Sequence, residues 1–124
     1  MFADTKVFGA FAVDDLAQAE KFYGEALGIR ISKYHGMLTL HLADGRDTRV
    51  YQKPDYIPAT YTIFMFQVDD IKAVVGELTN RGVQFERYGA MDQDEQGVTR
   101  GGGPFVAAWF KDPAGNVIEV LQER

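Results

Sequence analysis

The tripeptide Val-Asp-Asp occurs twice, at residues 13–15 and 68–70. Each copy follows an apolar, strand-like run, Lys6–Val13 (KVFGAFAV) or Tyr61–Val68 (YTIFMFQV), and each precedes a segment of helical spacing. A repeat on this scale means two copies of one supersecondary unit that bury a face together. In the first copy Asp14 and Asp15 are N-cap candidates. Leu16, Ala19, Phe22, Tyr23, Ala26 and Leu27 then form one stripe, which predicts a helix over 16–27 ended by Gly28. Ile29–Lys33, Met37–Leu42 and Thr48–Gln52 read as strands, with the turn ADGRD at 43–47 before the last.

Pro54 and Pro58 bracket a linker, and the pattern restarts. Asp69 and Asp70 cap a second helix with the stripe Ile71, Val74, Val75 and Leu78, and Gly82 stops it. Val83–Arg87 reads as a strand, and Trp109–Gln122 (WFKDPAGNVIEVLQ) as a closing hairpin. In that hairpin Pro113 has the fixed φ a turn wants, and Gly115 and Asn116 tolerate positive φ. The expectation is an α+β chain of two β-α-β-β-β modules in a single domain over 1–124: module one about 1–53, a linker about 54–60, and module two about 61–124. The copies differ in one connection. The first passes from Lys33 to Met37 almost directly, whereas the second spends Tyr88–Pro104 on it, including MDQDEQGVTRGGG. A functional loop and a disordered surface segment are both open readings of that stretch.

Composition narrows the function classes. The 124 residues suffice for one core. There is no cysteine, which excludes a disulfide framework, cysteine–zinc sites and a thiol nucleophile. The net charge is −5 without a basic cluster, so no nucleic acid and no membrane surface is an expected partner. No signal peptide is read in MFADTKVFGAFAV, and no apolar run approaches the ~20 residues of a membrane span. A cytoplasmic protein is the expectation.

One carboxylate stands out. Glu119 lies in a run of Val117, Ile118, Val120 and Leu121, where it is costly to bury unless paired, protonated or metal-bound, or else faces solvent. His41, in LTLHL, points away from its flanking leucines; His35 sits at a turn. Asp92, Asp94 and Glu95 lack the glycine and distal glutamate spacing of a calcium loop. Arg100 before Gly101–Gly103 is either an anion-binding nest or a hinge.

These segments in this order — strand-VDDL-helix-FYGEALGI, strand-VDDI-helix-LTNRGV, then WFKDPAGNVIEVLQ — resemble the vicinal oxygen chelate superfamily over nearly the whole chain. That group holds glyoxalase I, extradiol dioxygenases, fosfomycin-resistance enzymes and bleomycin-resistance proteins. The resemblance implies a curved eight-stranded mixed sheet with helices outside, a concave pocket and a homodimer. It implies four metal-ligand positions in metal-dependent members. Two lie on the first strand of each module, five residues before the Val of Val-Asp, and here are Phe8 and Ile63, which cannot ligate. Laying TRVYQK over NVIEVL from the turns outward makes the third Tyr51, or Gln52 after a slip. The fourth, Glu119, is the only retained ligand, so no metal or other cofactor is expected.

The same hairpin comparison sets His41 opposite Phe110 and brings Thr39, His41, Tyr51 and Glu119 to the concave face. A His41–Glu119 pair would suit acid–base chemistry, and these two are the catalytic candidates; the competing reading is a histidine bonded to a neighbouring strand or water. Alternation adds Phe8, Ile63 and Met65 to the pocket side, and Phe110 and Arg100 complete the candidate lining. The functional expectation is a small-molecule-binding protein of glyoxalase/bleomycin-resistance type with an apolar, metal-free pocket. The alternatives are a metal-dependent glyoxalase-type lyase or extradiol-type dioxygenase with a rearranged site, and a regulatory or accessory domain.

Overall fold

Each Val-Asp-Asp leads from a strand to a helix that it caps in the computed structural model, which describes residues 1–124. The chain divides into two compact units, Met1–Ile57 and Pro58–Arg124. In the first, β1 (Gly9–Val13) leads to α1 (Leu16–Lys21), and the Asp15 carboxylate accepts from the Gln18 amide at 3.1 Å. In the second, β5 (Thr62–Gln67) leads to α2 (Ile71–Asn80), and Asp70 accepts from the Ala73 amide, also at 3.1 Å. The second aspartate of each pair is therefore the cap, as an N-cap oxygen must reach an amide three residues on.

Unit one continues through β2 (Arg30–Tyr34), β3 (Met37–His41) and β4 (Thr48–Gln52), in the sheet order β1-β4-β3-β2. β1 is parallel to β4, and the other pairs are antiparallel. His35 and Gly36, both at positive φ, make the tight β2–β3 turn. The helix predicted over 16–27 stays α-helical only to Lys21. It then widens into a π-turn over Phe22–Ala26, in which the Leu27 amide reaches the Phe22 carbonyl. That turn carries Tyr23 fully into the core, 5.6 Å from Phe11 ring to ring, beside buried Val13, Leu38, Leu40 and Val50.

Unit two has the order β5-β7-β6, with β6 (Phe105–Lys111) antiparallel and β5 parallel to β7 (Val117–Glu123). Ile71, Val75 and Leu78 of α2 are buried with Ala108, Phe110, Ile118 and Val120. The fold thus holds seven strands in sheets of four and three. The strand expected at Val83–Arg87 is reduced to one bridge, Phe85 to Phe110. Arg87 accounts for the shortfall: its guanidinium donates to the carbonyls of Asp94 and Glu95, which draws the chain off the sheet edge.

Residues 88–104 are ordered by hydrogen bonds. Gln93 bridges to Thr99, and its side-chain amide donates to the carbonyls of Glu86 and Gly97. The buried Asp94 carboxylate accepts from the amides of Gln96 and Val98 at 2.9 and 3.0 Å. Asp112 organises the closing turn in the same manner, accepting from Ala114 and Asn116 at 3.0 and 2.8 Å. Gly115 sits there at φ +93°, where a Cβ would meet Pro58 at 3.3 Å. No helix is long and apolar enough to cross a membrane.

Candidate functional site

Alternation along the strands gives each sheet a helix-covered face and a helix-free face. In unit one Phe11, Val50 and Leu38 are in register and lie towards α1, since Phe11 meets Tyr23 and Lys33, opposite Leu38, pairs with Glu20. The next row, Ala10–Arg49–Thr39, is therefore on the helix-free face. In unit two Gln122 reaches the start of α2, so Ile118 and Val120 share its side, and the row Met65–Glu119–Trp109 is helix-free.

Two glutamines tie these rows to the repeat. Gln52 Oε1 accepts from the Leu16 amide at 2.9 Å, and Gln122 Oε1 accepts from the Ile71 amide at 2.8 Å. Both serve the first helical N–H, one of the amides a helix leaves without an internal partner. Gln52 and Gln122 are thus equivalent, and so are the residues three before them, Arg49 and Glu119. Strand pairing gives the same answer: Ala10 and Met65, each three residues before the Val of Val-Asp-Asp, face Arg49 and Glu119. This corrects the register counted from the turns. The counterpart of Glu119 is Arg49, not Tyr51, and that of Phe110 is Leu40, not His41. Counting from the turns failed because β3–β4 and β6–β7 are joined by connections of different length. The shared pattern x-Val-x-Gln, RVYQ and EVLQ, was the sequence signal that would have given the register.

Glu119 is 5% exposed, and Trp109, directly opposite on β6, donates its Nε1–H to Glu119 Oε1 at 3.0 Å. Burial pushes the carboxyl above its ordinary value, and the indole N–H pulls in the opposite direction with the smaller effect. The Tyr88 ring packs edge-on against Trp109 at 5.7 Å. Met65, across from Glu119, is 66% exposed. Ile63 lies in a β-bulge between Thr62 and Phe64.

His41 is occupied by other partners than the one expected. Its Nε2 is hydrogen-bonded to the Ser32 hydroxyl and its Nδ1 to Asp47 Oδ1 at 3.3 Å. Both ring nitrogens are taken within unit one, and Glu119 Oε1 is taken by Trp109 within unit two. With Asp47 accepting from Nδ1–H, Nε2 is the acceptor for Ser32, a polarity suited to moving a proton along the chain. Sequence reasoning found neither Ser32 nor Asp47, which lie on another strand and in a turn.

Thr39 is buried, and Tyr51 is exposed in the row Ala12–Tyr51. Phe8 stacks on Arg49, whose Cζ lies 4.3 Å from the ring centroid. Two members of the expected lining go elsewhere. Phe110, one residue from Trp109, takes the helix-covered face and packs against Phe85 in the core. Arg100 pairs with Asp92 at 2.7 Å and lines a groove with Asp70, Lys72 and Gln122, on the helix side of its sheet. In neither unit does a group of three or more His, Asp or Glu side chains gather to hold a metal ion.

The sequence model of the Glyoxalase/Bleomycin resistance protein/Dioxygenase superfamily matches residues 7–120. No curated protein sequence matches the chain. Among solved structures, a glyoxalase/dioxygenase from Nostoc punctiforme is similar with a TM-score of 0.71 at 18% identity, over 99% of this chain and 94% of that one. A glyoxalase family protein from Enterococcus faecalis gives 0.71 at 18% identity, over 98% and 99%. A virulence protein from Salmonella typhimurium gives 0.69 at 20% identity over the whole of both chains. At these identities the likeness shows the fold alone.

Proposed function

This chain belongs to the Glyoxalase/Bleomycin resistance protein/Dioxygenase superfamily, and from that premise we propose that it binds a small molecule on its helix-free faces without a metal ion. One observation carries the reading. The four positions that ligate a metal in metal-dependent relatives are occupied by Phe8, Arg49, Ile63 and Glu119. Phenylalanine and isoleucine have no lone pair to give. A guanidinium stays protonated and repels a cation. The one remaining carboxylate has its Oε1 engaged by Trp109 and its charged form disfavoured by burial. A divalent ion wants three or more oxygen or nitrogen ligands; Phe8 and Arg49 of unit one offer none and Ile63 and Glu119 of unit two offer one carboxylate, so their chemistry does not fit it.

What they do offer is apolar surface with a few fixed polar groups, the general form of a small-molecule site. In unit one Phe8 supplies the apolar part and Thr39, Arg49 and Tyr51 the hydrogen-bonding groups; in unit two Ile63 and Met65 are apolar and Trp109 and Glu119 polar. The protein works in this reading as a cytoplasmic homodimer, and the exposed apolar side chains of Val7, Ile57 and Tyr61 are candidates for the subunit contact. The eight-stranded, curved arrangement of the family belongs to the same proposal. A thermal-shift screen of planar and aromatic metabolites, run in excess chelator, tests it. Binders whose effect persists in chelator support the reading; a screen in which every hit needs a divalent ion overturns it.

A further inference from the structure

Arg49 is the most unusual polar group of unit one. Its Cζ lies 3.9 Å from the Tyr34 ring centroid and 4.3 Å from that of Phe8, so the guanidinium is held by two aromatic side chains. Ring faces stabilise its charge, but they accept no hydrogen bond from the in-plane N–H groups. The Nε and Nη1 atoms are buried without a hydrogen-bond partner. Buried donors are nearly always paired, so an unpaired pair on one charged fork needs a reason. Four carboxylates of its own unit are paired elsewhere: Glu20 with Lys33, Asp44 with Arg46, Asp47 with His41 and Asp55 with Lys53.

We infer that Arg49 anchors the ligand through an oxyanion, a carboxylate or phosphoryl group on a small molecule, taken by one edge of its guanidinium. Nε shares one edge of the guanidinium with Nη2, and Nη1 shares the other with Nη2, so an oxyanion on either edge meets one unpaired donor together with Nη2. Phe8 and Tyr34 hold the fork in place, which lowers the ordering cost of binding. Thr39, directly across from Arg49 on β3, adds a hydroxyl beside it. The charge that metal-dependent relatives supply with an ion would here be supplied by the side chain itself. This rests on the small-molecule reading above and narrows it to anionic ligands.

The test uses benzoate, phenylphosphonate and neutral benzamide as probes of the wild-type protein. Its first readout is the Arg49 Nε–H resonance in a nitrogen-15 spectrum, which needs no variant. The expected result is a saturable downfield shift with benzoate or phenylphosphonate and none with benzamide; the larger response identifies the carboxylate or the phosphoryl source. Thermal shift then compares Arg49→Met and Arg49→Lys. Methionine keeps the length without charge and should lose the oxyanion response at least tenfold in affinity, while lysine should retain part of it. An Arg49 resonance that no oxyanion moves, or an undiminished benzoate response in a folded Arg49→Met protein, overturns the inference. If benzoate and phenylphosphonate bind wild type and Arg49→Met alike, small-molecule binding stands and the anchor alone fails.

Discussion

Arg49 and Glu119 occupy the same position in two copies of one unit. Each faces the residue three before the Val of Val-Asp-Asp, and each precedes by three a glutamine that holds the first amide of a helix. One copy has a permanent cation there and the other a buried acid. The repeat has thus kept its scaffold chemistry in Asp15/Asp70 and Gln52/Gln122, and diverged where its side chains leave the helix-free faces.

Glu119 gives the first prediction. Its folded pKa lies above the unfolded value because burial disfavours the charge. The stability it contributes is therefore fully present below the unfolded pKa of about 4.3 and is lost as pH rises through the folded pKa. Glu119→Gln keeps an oxygen for the Trp109 N–H and carries no charge. Thermal melts from about pH 4 to about pH 8 should show wild type losing stability relative to the variant, which is equal or better at neutrality. A variant clearly less stable than wild type at neutral pH would contradict this.

Trp109 is the only tryptophan, and it donates to that same carboxylate. Its fluorescence should titrate with Glu119 and lose that titration in Glu119→Gln. Trp109→Phe removes the donor from a buried acid and should cost about 1–3 kcal/mol in urea unfolding, more at neutral pH than in acid. A pH-independent loss would mean that only packing had been removed.

The helix-capping glutamines differ in exposure: Gln52 is exposed and Gln122 half-buried. Water replaces the first more readily. Gln52→Ala should cost roughly 0.5 kcal/mol and Gln122→Ala about 1–1.5 kcal/mol, measured by chemical unfolding. The reverse order would contradict their assignment as equivalent caps.

How much of this was legible in the sequence follows from which interactions are local. Caps, stripes and the Asp-Pro-Ala-Gly-Asn turn act within a few residues, so both helices and the closing hairpin could be read directly. The register between β1 and β4, or β5 and β7, is fixed by contacts spanning 36 and 51 residues through Gln52 and Gln122. A count from the turns could not see them, so Arg49 was overlooked and Phe110 was set opposite His41. The missing strand at Val83–Arg87 depended likewise on Arg87 finding carbonyls in the segment that follows.

That segment gives another prediction. Asp94 is buried and holds two amides, so Asp94→Ala should cost about 2 kcal/mol and open residues 88–104 to protease. Hydrogen exchange at the Val98 amide is the direct measure. Unchanged protection would show that Gln93 and Arg87 suffice to hold the segment.

The proposed metal-free binding rests on the side chains of Phe8 and Arg49 in unit one and of Ile63 and Glu119 in unit two. Its most direct test is the metal content of protein purified without chelators, together with melting in added zinc, nickel, manganese or iron(II). The prediction is far less than one ion per chain and no rise in melting temperature with any of them. One tightly held ion per chain, with a metal-dependent rise in melting that Glu119→Gln abolishes, would contradict it.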